Sequence, residues 1–320
     1  MTSGDSNLGN YVMTRSDNEL QSEQSRLDMQ HEVWLLTLGG QLHKSLLPSP
    51  QRAILDIGTG TGAWAMAMAR AWPDATVIAT DLTPPQDHPQ NIGITNLYFK
   101  TSDADQQWDF YPGQFDFIHG RMLASGIHDW PGLLAKSFAH LRPGGKLELL
   151  DICHPFRAAI SQFDNGEASP FIHFGQCLER VYASKGLDYQ AMTKHVHRLS
   201  KLGFRNINDH IARWPLGEWA KTPREKQIGK LTLKNFLKFI DMAGVAILTD
   251  GNSMSQVVAE EVARRAKEDL ITACLDKQFY LMIRIHTAEK PDMGWQVEEQ
   301  GDRSVAVEEE NTAHLDIGHN

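Results

Sequence analysis

Ala53-Ile54-Leu55-Asp56-Ile57-Gly58-Thr59-Gly60-Thr61-Gly62-Ala63-Trp64 is the stretch on which the fold turns. Its first five residues, Ala53 to Ile57, have the composition of a short buried strand. Three glycines follow at alternate positions, and Ala65-Met66-Ala67-Met68-Ala69-Arg70 is a run of good helix formers. A strand, a glycine turn and a helix N-terminus make a nucleotide-binding corner. Glycine admits the turn and lets a ligand approach bare backbone N–H groups.

The glycine spacing also fits a variant of the dinucleotide fingerprint, so the glycines leave the ligand open. Asp56, two residues before Gly58, is more informative. A carboxylate facing the ligand repels a pyrophosphate and suits a cation carrying an ammonium and a sulfonium. S-adenosyl-L-methionine has both and no phosphate. The plainer reading of Asp56 is a strand-end residue that caps the next turn.

Working outward, residues 1–20 are polar and read as a disordered N-terminus. Residues 21–50 hold a leading helix, interrupted near Gly39-Gly40 and stopped by Pro48 and Pro50. That helix either covers the pocket or packs on the sheet edge. Downstream, strands are expected at Thr76–Thr80, Leu97–Lys100, Phe115–His119 and Lys146–Ile152, with a helix over Pro131–Leu141. One strand per crossover argues for a doubly wound, mainly parallel α/β sheet. Ligands in such sheets bind beyond the strands' carboxyl ends. Asp81, Asp103, Arg121 and His154 all fall there. An acid about 20 residues past the glycines, here Asp81, is placed to accept from ribose hydroxyls.

The later half is less regular: helices over Pro170–Lys185 and Asp188–Leu202, a strand over Phe204–Ile211, an aromatic turn-rich run to Trp219, and two more helices before a last strand at Gln278–His286. The expected organisation is a core over 51–212, an inserted helical cap over 213–275, a last core strand over 276–290 and an acidic disordered tail over 291–320. The tail carries eight acids and one base, so most of the net charge of −9 lies there. A near-neutral body lacks the clustered Lys and Arg of a nucleic-acid binder. Three dispersed cysteines give no metal spacing and no disulfide framework. No metal, nucleic-acid or membrane partner is expected, and a cytoplasmic location fits, with a nuclear one also open.

With these motifs in view, Leu55 to Gly62 resembles motif I of class I S-adenosylmethionine-dependent methyltransferases, and Asp81, Asp103-Ala104 and Leu141-Arg142-Pro143-Gly144-Gly145 match that family's later motifs. The resemblance is closer still to the fungal LaeA-like methyltransferases of secondary metabolism. It is carried by Arg26-Leu27-Asp28-Met29-Gln30-His31, Leu36-Thr37-Leu38, Phe115 to Arg121, Asp129-Trp130-Pro131 and Trp214-Pro215-Leu216-Gly217-Glu218-Trp219. It covers roughly residues 20–290 and implies a Rossmann-like sheet of seven strands. It further implies that Gly58 and Gly60 meet the methionine end of the cofactor, that Asp56 reaches its amino group, that Asp81 holds the ribose, that Leu82 lies on adenine, and that Asp103 and Ala104 bind the adenine edge. Arg121 faces the cofactor in that pattern, and Gln30 and His31 close over it.

The chain also departs from the family. Leu82 to His88 replaces a Ser-Pro and Trp-containing loop, Leu149-Leu150-Asp151-Ile152-Cys153-His154 ends without the usual Gln-Glu pair, and Asp276-Lys277-Gln278 stands where His-x-Tyr is usual. The substrate side has therefore diverged more than the cofactor side. Methyl transfer is an in-line displacement that needs alignment above all, with a general base where the nucleophile carries a proton. His154, then His119 and His128, are the candidate bases, since imidazole titrates near neutral pH. The expected activity is methylation of a small, hydrophobic fungal metabolite at O, N or C. The alternatives are a LaeA-type regulator in a nuclear complex and a fold repurposed as a cyclase. Either a homodimer or a regulatory protein partner is compatible with the chain.

Overall fold

The structure, a computed structural model, describes residues 17–47, 50, 52–85 and 89–292. The expected N-terminal disorder and acidic tail therefore fall mostly outside the described residues. Helix α1 (Asp17–Thr37) starts within the stretch expected to be disordered and leads to β1 (Ala53–Ile57), α2 (Ala63–Ala71), β2 (Thr76–Asp81) and β3 (Leu97–Thr101). Then come β4 (Phe115–Arg121), α3 (Trp130–His140), β5 (Leu141–Ala158), α4 (Pro170–Ser184), α5 (Ala191–Lys201) and β6 (Arg205–Pro215). The chain continues through α6 (Pro223–Phe239), α7 (Val245–Thr249) and α8 (Gln256–Lys277) to β7 (Phe279–Glu289).

One seven-stranded sheet results, in the order β3-β2-β1-β4-β5-β7-β6. The pairs β1–β2, β2–β3, β1–β4 and β4–β5 are parallel, and β7 runs antiparallel between β5 and β6. The sheet is thus a Rossmann-like doubly wound one whose order reverses between β1 and β4, where a ligand crevice opens.

Alternation along β1 shows how both faces are buried. Ile54 packs with Trp64, Met68, Val77 and Phe117 under α2, whereas Leu55 and Ile57 pack with Phe115, Leu133, Leu147 and Leu149 under α3 and α5. Side chains two residues apart share a face, so Asp56 points to the α2 side with Ile54. A third cluster joins α1, α4, α6, α7 and α8 around Trp34, Phe171, Phe174, Phe236 and Trp214. Of these helices, α6, α7 and α8 form the helical segment between β6 and β7, called the cap below.

Two strands run further than the sequence suggests. β5 continues past Ile152 to Ala158, where Arg157 and Ala158 pair with Tyr280 and Phe279. β6 extends through Trp214 and Pro215. In both cases pairing with β7 supplies the hydrogen bonds, and that partner lies far away in the chain. Among the described residues no helix is long and apolar enough to cross a membrane.

Candidate cofactor site

The site begins at the glycine loop. Gly58, Gly60 and Gly62 have φ of 65°, 57° and 76°, a region that costs any residue with a Cβ. Space is also short. A Cβ on Gly58 would lie 2.4 Å from Leu123 Cδ2, and one on Gly62 would lie 2.7 Å from Phe99 Cζ. The loop is fastened to the end of β2, where Asp81 Oδ2 accepts from Gly60 N at 2.8 Å and Oδ1 accepts from Thr83 N at 3.1 Å. Asp81 therefore stands beside the loop with one lone pair per oxygen still to offer. Leu82, next along, is 38% exposed.

Asp56 has two partners. His119 Nδ1 lies 2.8 Å from its Oδ1, and Thr59 Oγ1 donates to its Oδ2 at 2.6 Å. Asp56 and His119 are register partners on adjacent parallel strands, so their side chains meet on one face. The imidazole stacks on Trp64, the rings 3.7 Å apart and 4° from parallel. His119 is only 1% exposed, and among the described residues its Nε2 has no hydrogen-bond partner.

Helix α1 lies over this row. Leu27 reaches Gly60, Asp28 Oδ1 accepts from Thr61 Oγ1 at 3.4 Å, and the Arg121 guanidinium donates to His31 Nδ1 at 3.2 and 3.3 Å. Burial, reinforced by Arg121 and His119, lowers His31 to about 4, with Asp56 opposing. Burial likewise lowers Arg121 to about 10, which leaves it charged at neutral pH. The cap holds α1 in place. Trp214 Nε1 donates to Thr37 Oγ1 at 2.7 Å, Asn235 Nδ2 donates to Arg26 O at 2.6 Å, and Arg224 donates to Thr37 O at 2.6 Å.

The segment after β4 is shaped by Asp151, whose Oδ2 accepts from Leu123 N and Ala124 N at 2.7 and 2.8 Å while Oδ1 accepts from Ile152 N at 2.8 Å. Burial raises this carboxyl to about 7, against the pull of those three N–H groups. Leu123, so held, fills the gap between Gly58 and Gly120. The sequence marks 149–154 as divergent but not this role, which depends on contacts with the segment after β4; the signal it carries is an acid in an otherwise apolar strand.

The remaining candidates separate. Asp103 is exposed and accepts from Asp105 N at 2.9 Å; the Ala104 carbonyl takes Lys136 Nζ at 2.6 Å and Trp108 Nε1 at 3.2 Å. His128 is exposed, with Nδ1 3.0 Å from Asp105 Oδ2. His154 lies with the cap, its ring 4.6 Å from Phe156 and 4.3 Å from Tyr189, and burial drives it down to about 3. The three histidines proposed as bases thus occupy three settings: a carboxylate-bound ring, a surface pair and an apolar nest. An imidazole held near 3 takes a proton poorly at neutral pH.

Carboxylates at 56 and 81 on either side of an open glycine loop disfavour pyrophosphate and suit a ribose attached to a cationic amino-acid end. The donor set fits S-adenosylmethionine. The methyltransferase-domain family matches residues 35–219 of the chain, from the last residues of α1 to the aromatic run after β6. The chain belongs to this family. It is similar to the methyltransferase pytC of Aspergillus terreus, 33% identical over 233 residues, covering 71% of this chain and 69% of that protein. It is similar also to the protein-methionine methyltransferase laeA of Emericella nidulans, 29% identical over 216 residues, covering 66% and 55% respectively. Among solved structures it is similar to the Haemonchus contortus phosphoethanolamine N-methyltransferase 2 with S-adenosylhomocysteine, at 17% identity and a TM-score of 0.49, covering 82% of this chain and 52% of that one. The chain is an S-adenosylmethionine-dependent methyltransferase related to those of fungal secondary metabolism. Among the described residues of this methyltransferase no group of three His, Cys, Asp or Glu is arranged to hold a metal.

Proposed function

We propose that this methyltransferase acts on a small, hydrophobic metabolite. The observation that carries the reading is the aromatic nest at the end of β5. His154, Phe156, Tyr189, Phe171 and Phe236 are in ring contact there, beside the strand ends where the cofactor loop lies. Phe156, Phe171 and Phe236 are buried there, and an apolar, aromatic interior on this side supports an apolar, planar acceptor.

Bound at the glycine loop, the cofactor supplies an electrophilic methyl on a sulfonium. The protein's own part is alignment and exclusion of water. Asp81 orients the ribose, the loop 58–62 presents backbone N–H groups, and α1 lies against the loop through Leu27 and Asp28. His154, neutral at physiological pH, serves as a wall of the acceptor side. The kinship with the protein-methionine methyltransferase laeA supports a second reading, in which a protein side chain is the acceptor.

Transfer of a labelled methyl group tests this. The purified protein is incubated with labelled S-adenosylmethionine and fungal extract. Label in the organic-soluble, low-mass fraction is the expected result. Label confined to protein would favour the regulator reading. A changed metabolite without label would favour the cyclase reading.

A further inference from the structure

Helix α8 carries apolar side chains on two opposite faces. One face belongs to the core, where Ala259, Ala263, Ala266 and Leu270 are buried against α4, α7 and β7. The other face points to solvent, yet Val257 is 76% exposed, Ile271 58% and Leu275 60%. Eighteen residues make five whole turns, so Val257 and Leu275 share one angle on the helix, and Ile271 stands about 40° from it. Ala266, nine residues from each, points the opposite way. A helix needs one apolar stripe to join a core, and this one has a stripe left over. With Val258, four of the nine exposed large apolar side chains among the described residues lie on this helix, so they form a patch rather than a scatter.

Between its apolar ends the same stripe is charged. Val257, Glu261, Arg264, Glu268, Ile271 and Leu275 are four, three, four, three and four residues apart, the spacing of a coiled-coil seam. Arg264 Nε and one terminal nitrogen donate to Glu261 at 2.8 and 2.9 Å, and the other terminal nitrogen donates to Glu268 at 2.9 Å. All three side chains are exposed, where such pairs within one helix stabilise it little.

This order of residues is complementary to its own reverse. When a second copy is laid antiparallel so that Val257 meets Leu275, Arg264 falls opposite Glu268 and Glu261 opposite Ile271. Glu261 then lays its methylenes on Ile271 and keeps its carboxylate on Arg264. Each contact occurs twice about a two-fold axis, as a closed dimer requires. Parallel pairing would set Arg264 on Arg264 and Glu268 on Glu268. The stripe contains no residue of the cofactor site, so both sites of such a pair stay complete.

We propose that the outward face of α8 is a self-association surface, on which a second copy of the chain docks its own α8 antiparallel, with Val257 against Leu275 and Arg264 against Glu268. Two 22-residue helices paired along their length bury on the order of 1,000 Å², the low end of specific interfaces, so a dissociation constant of about 1–100 µM is expected.

Sedimentation velocity of the full chain across that range tests this, with melting curves to show that each variant is folded. Wild type is expected to pass from monomer to dimer. Ile271→Glu and Leu275→Glu, both at exposed positions, weaken the dimer by about tenfold or more. Arg264→Glu and Glu268→Arg each set like charges across the axis and are monomeric alone. Mixed, they dimerise, because every charge then faces its opposite, a result that no effect within one chain produces. A wild type that stays monomeric to about 500 µM overturns the proposal. So does a dimer that Ile271→Glu and Leu275→Glu leave unchanged, since the contact then lies elsewhere. Mixed charge variants that stay monomeric overturn the antiparallel register.

Discussion

Glu148 offers the sharpest test of how α1 is held over the site. It is fully buried in β5, and its carboxylate accepts from Ser45 N and Ser45 Oγ, each at 2.6 Å, and from Lys44 N at 3.0 and 3.1 Å. These bonds pin the connection between α1 and β1. In Glu148→Ala the exposed Lys44 N–H regains water, but the two buried donors of Ser45 lose their acceptor. At about 1–3 kcal/mol for each stranded buried donor, less the relief of no longer burying a carboxylate, the loss is about 3 kcal/mol. That is a large share of the roughly 5–15 kcal/mol of a typical domain. Glu148→Gln keeps an acceptor for Ser45 and turns an NH₂ group toward Lys44 N, so its cost is about 1 kcal/mol. Urea unfolding at neutral pH measures both, and the alanine variant's S-adenosylhomocysteine affinity falls as α1 loosens. A Glu148→Ala midpoint within about 0.5 kcal/mol of wild type would refute this argument, because it would mean that the Ser45 donors find other partners without cost.

Four further outcomes follow from the same geometry. Stability falls as pH drops below 6.5: His154 and His31, at about 3 and about 4 in the fold, refuse protons that the unfolded chain accepts, so their contribution is full above 6.5 and lost toward those lower values. His154 alone gives about 2 kcal/mol of loss by pH 5, while Asp151, at about 7, opposes this with one proton over the acid range; urea midpoints at pH 7 and 5, steepest in wild type and shallower in His154→Leu, check the sign. Gly62→Ala, with its Cβ 2.7 Å from Phe99, loses cofactor affinity and about 2 kcal/mol or more. Gly39→Ala, at φ 67° with nothing within 4 Å, costs about 1 kcal/mol of backbone strain and leaves binding intact. Trp214→Phe removes the 2.7 Å bond to Thr37 and about 1 kcal/mol, seen as faster amide hydrogen exchange along α1.

The parallel half of the sheet was legible because each of its strands is an apolar run closed by turn residues, and both faces are buried. Thr76 to Asp81 needs no distant information to be a strand. Gly58, Gly60 and Gly62 were legible for a similar reason, since positive φ leaves a mark in residue type. The ends of β5 and β6 were not legible. His154 to Ala158 and Arg213 to Pro215 become strand through β7, more than 60 residues later, and nothing local announces that pairing.

The chain's residues alone thus determine the alternation of strand and helix, the glycine corner and the acids at 56 and 81, because these depend on local backbone preference and on charge. Only the tertiary structure decides what those acids face. Asp56 and His119 are 63 residues apart, and Arg121 and His31 are 90 apart. Their meeting is set by strand register and by the helix that the cap holds in place. Hydrogen bonds between groups so distant in the chain carry no sequence period. They exist because burial penalises a polar group without a partner, and the fold brings partners within reach.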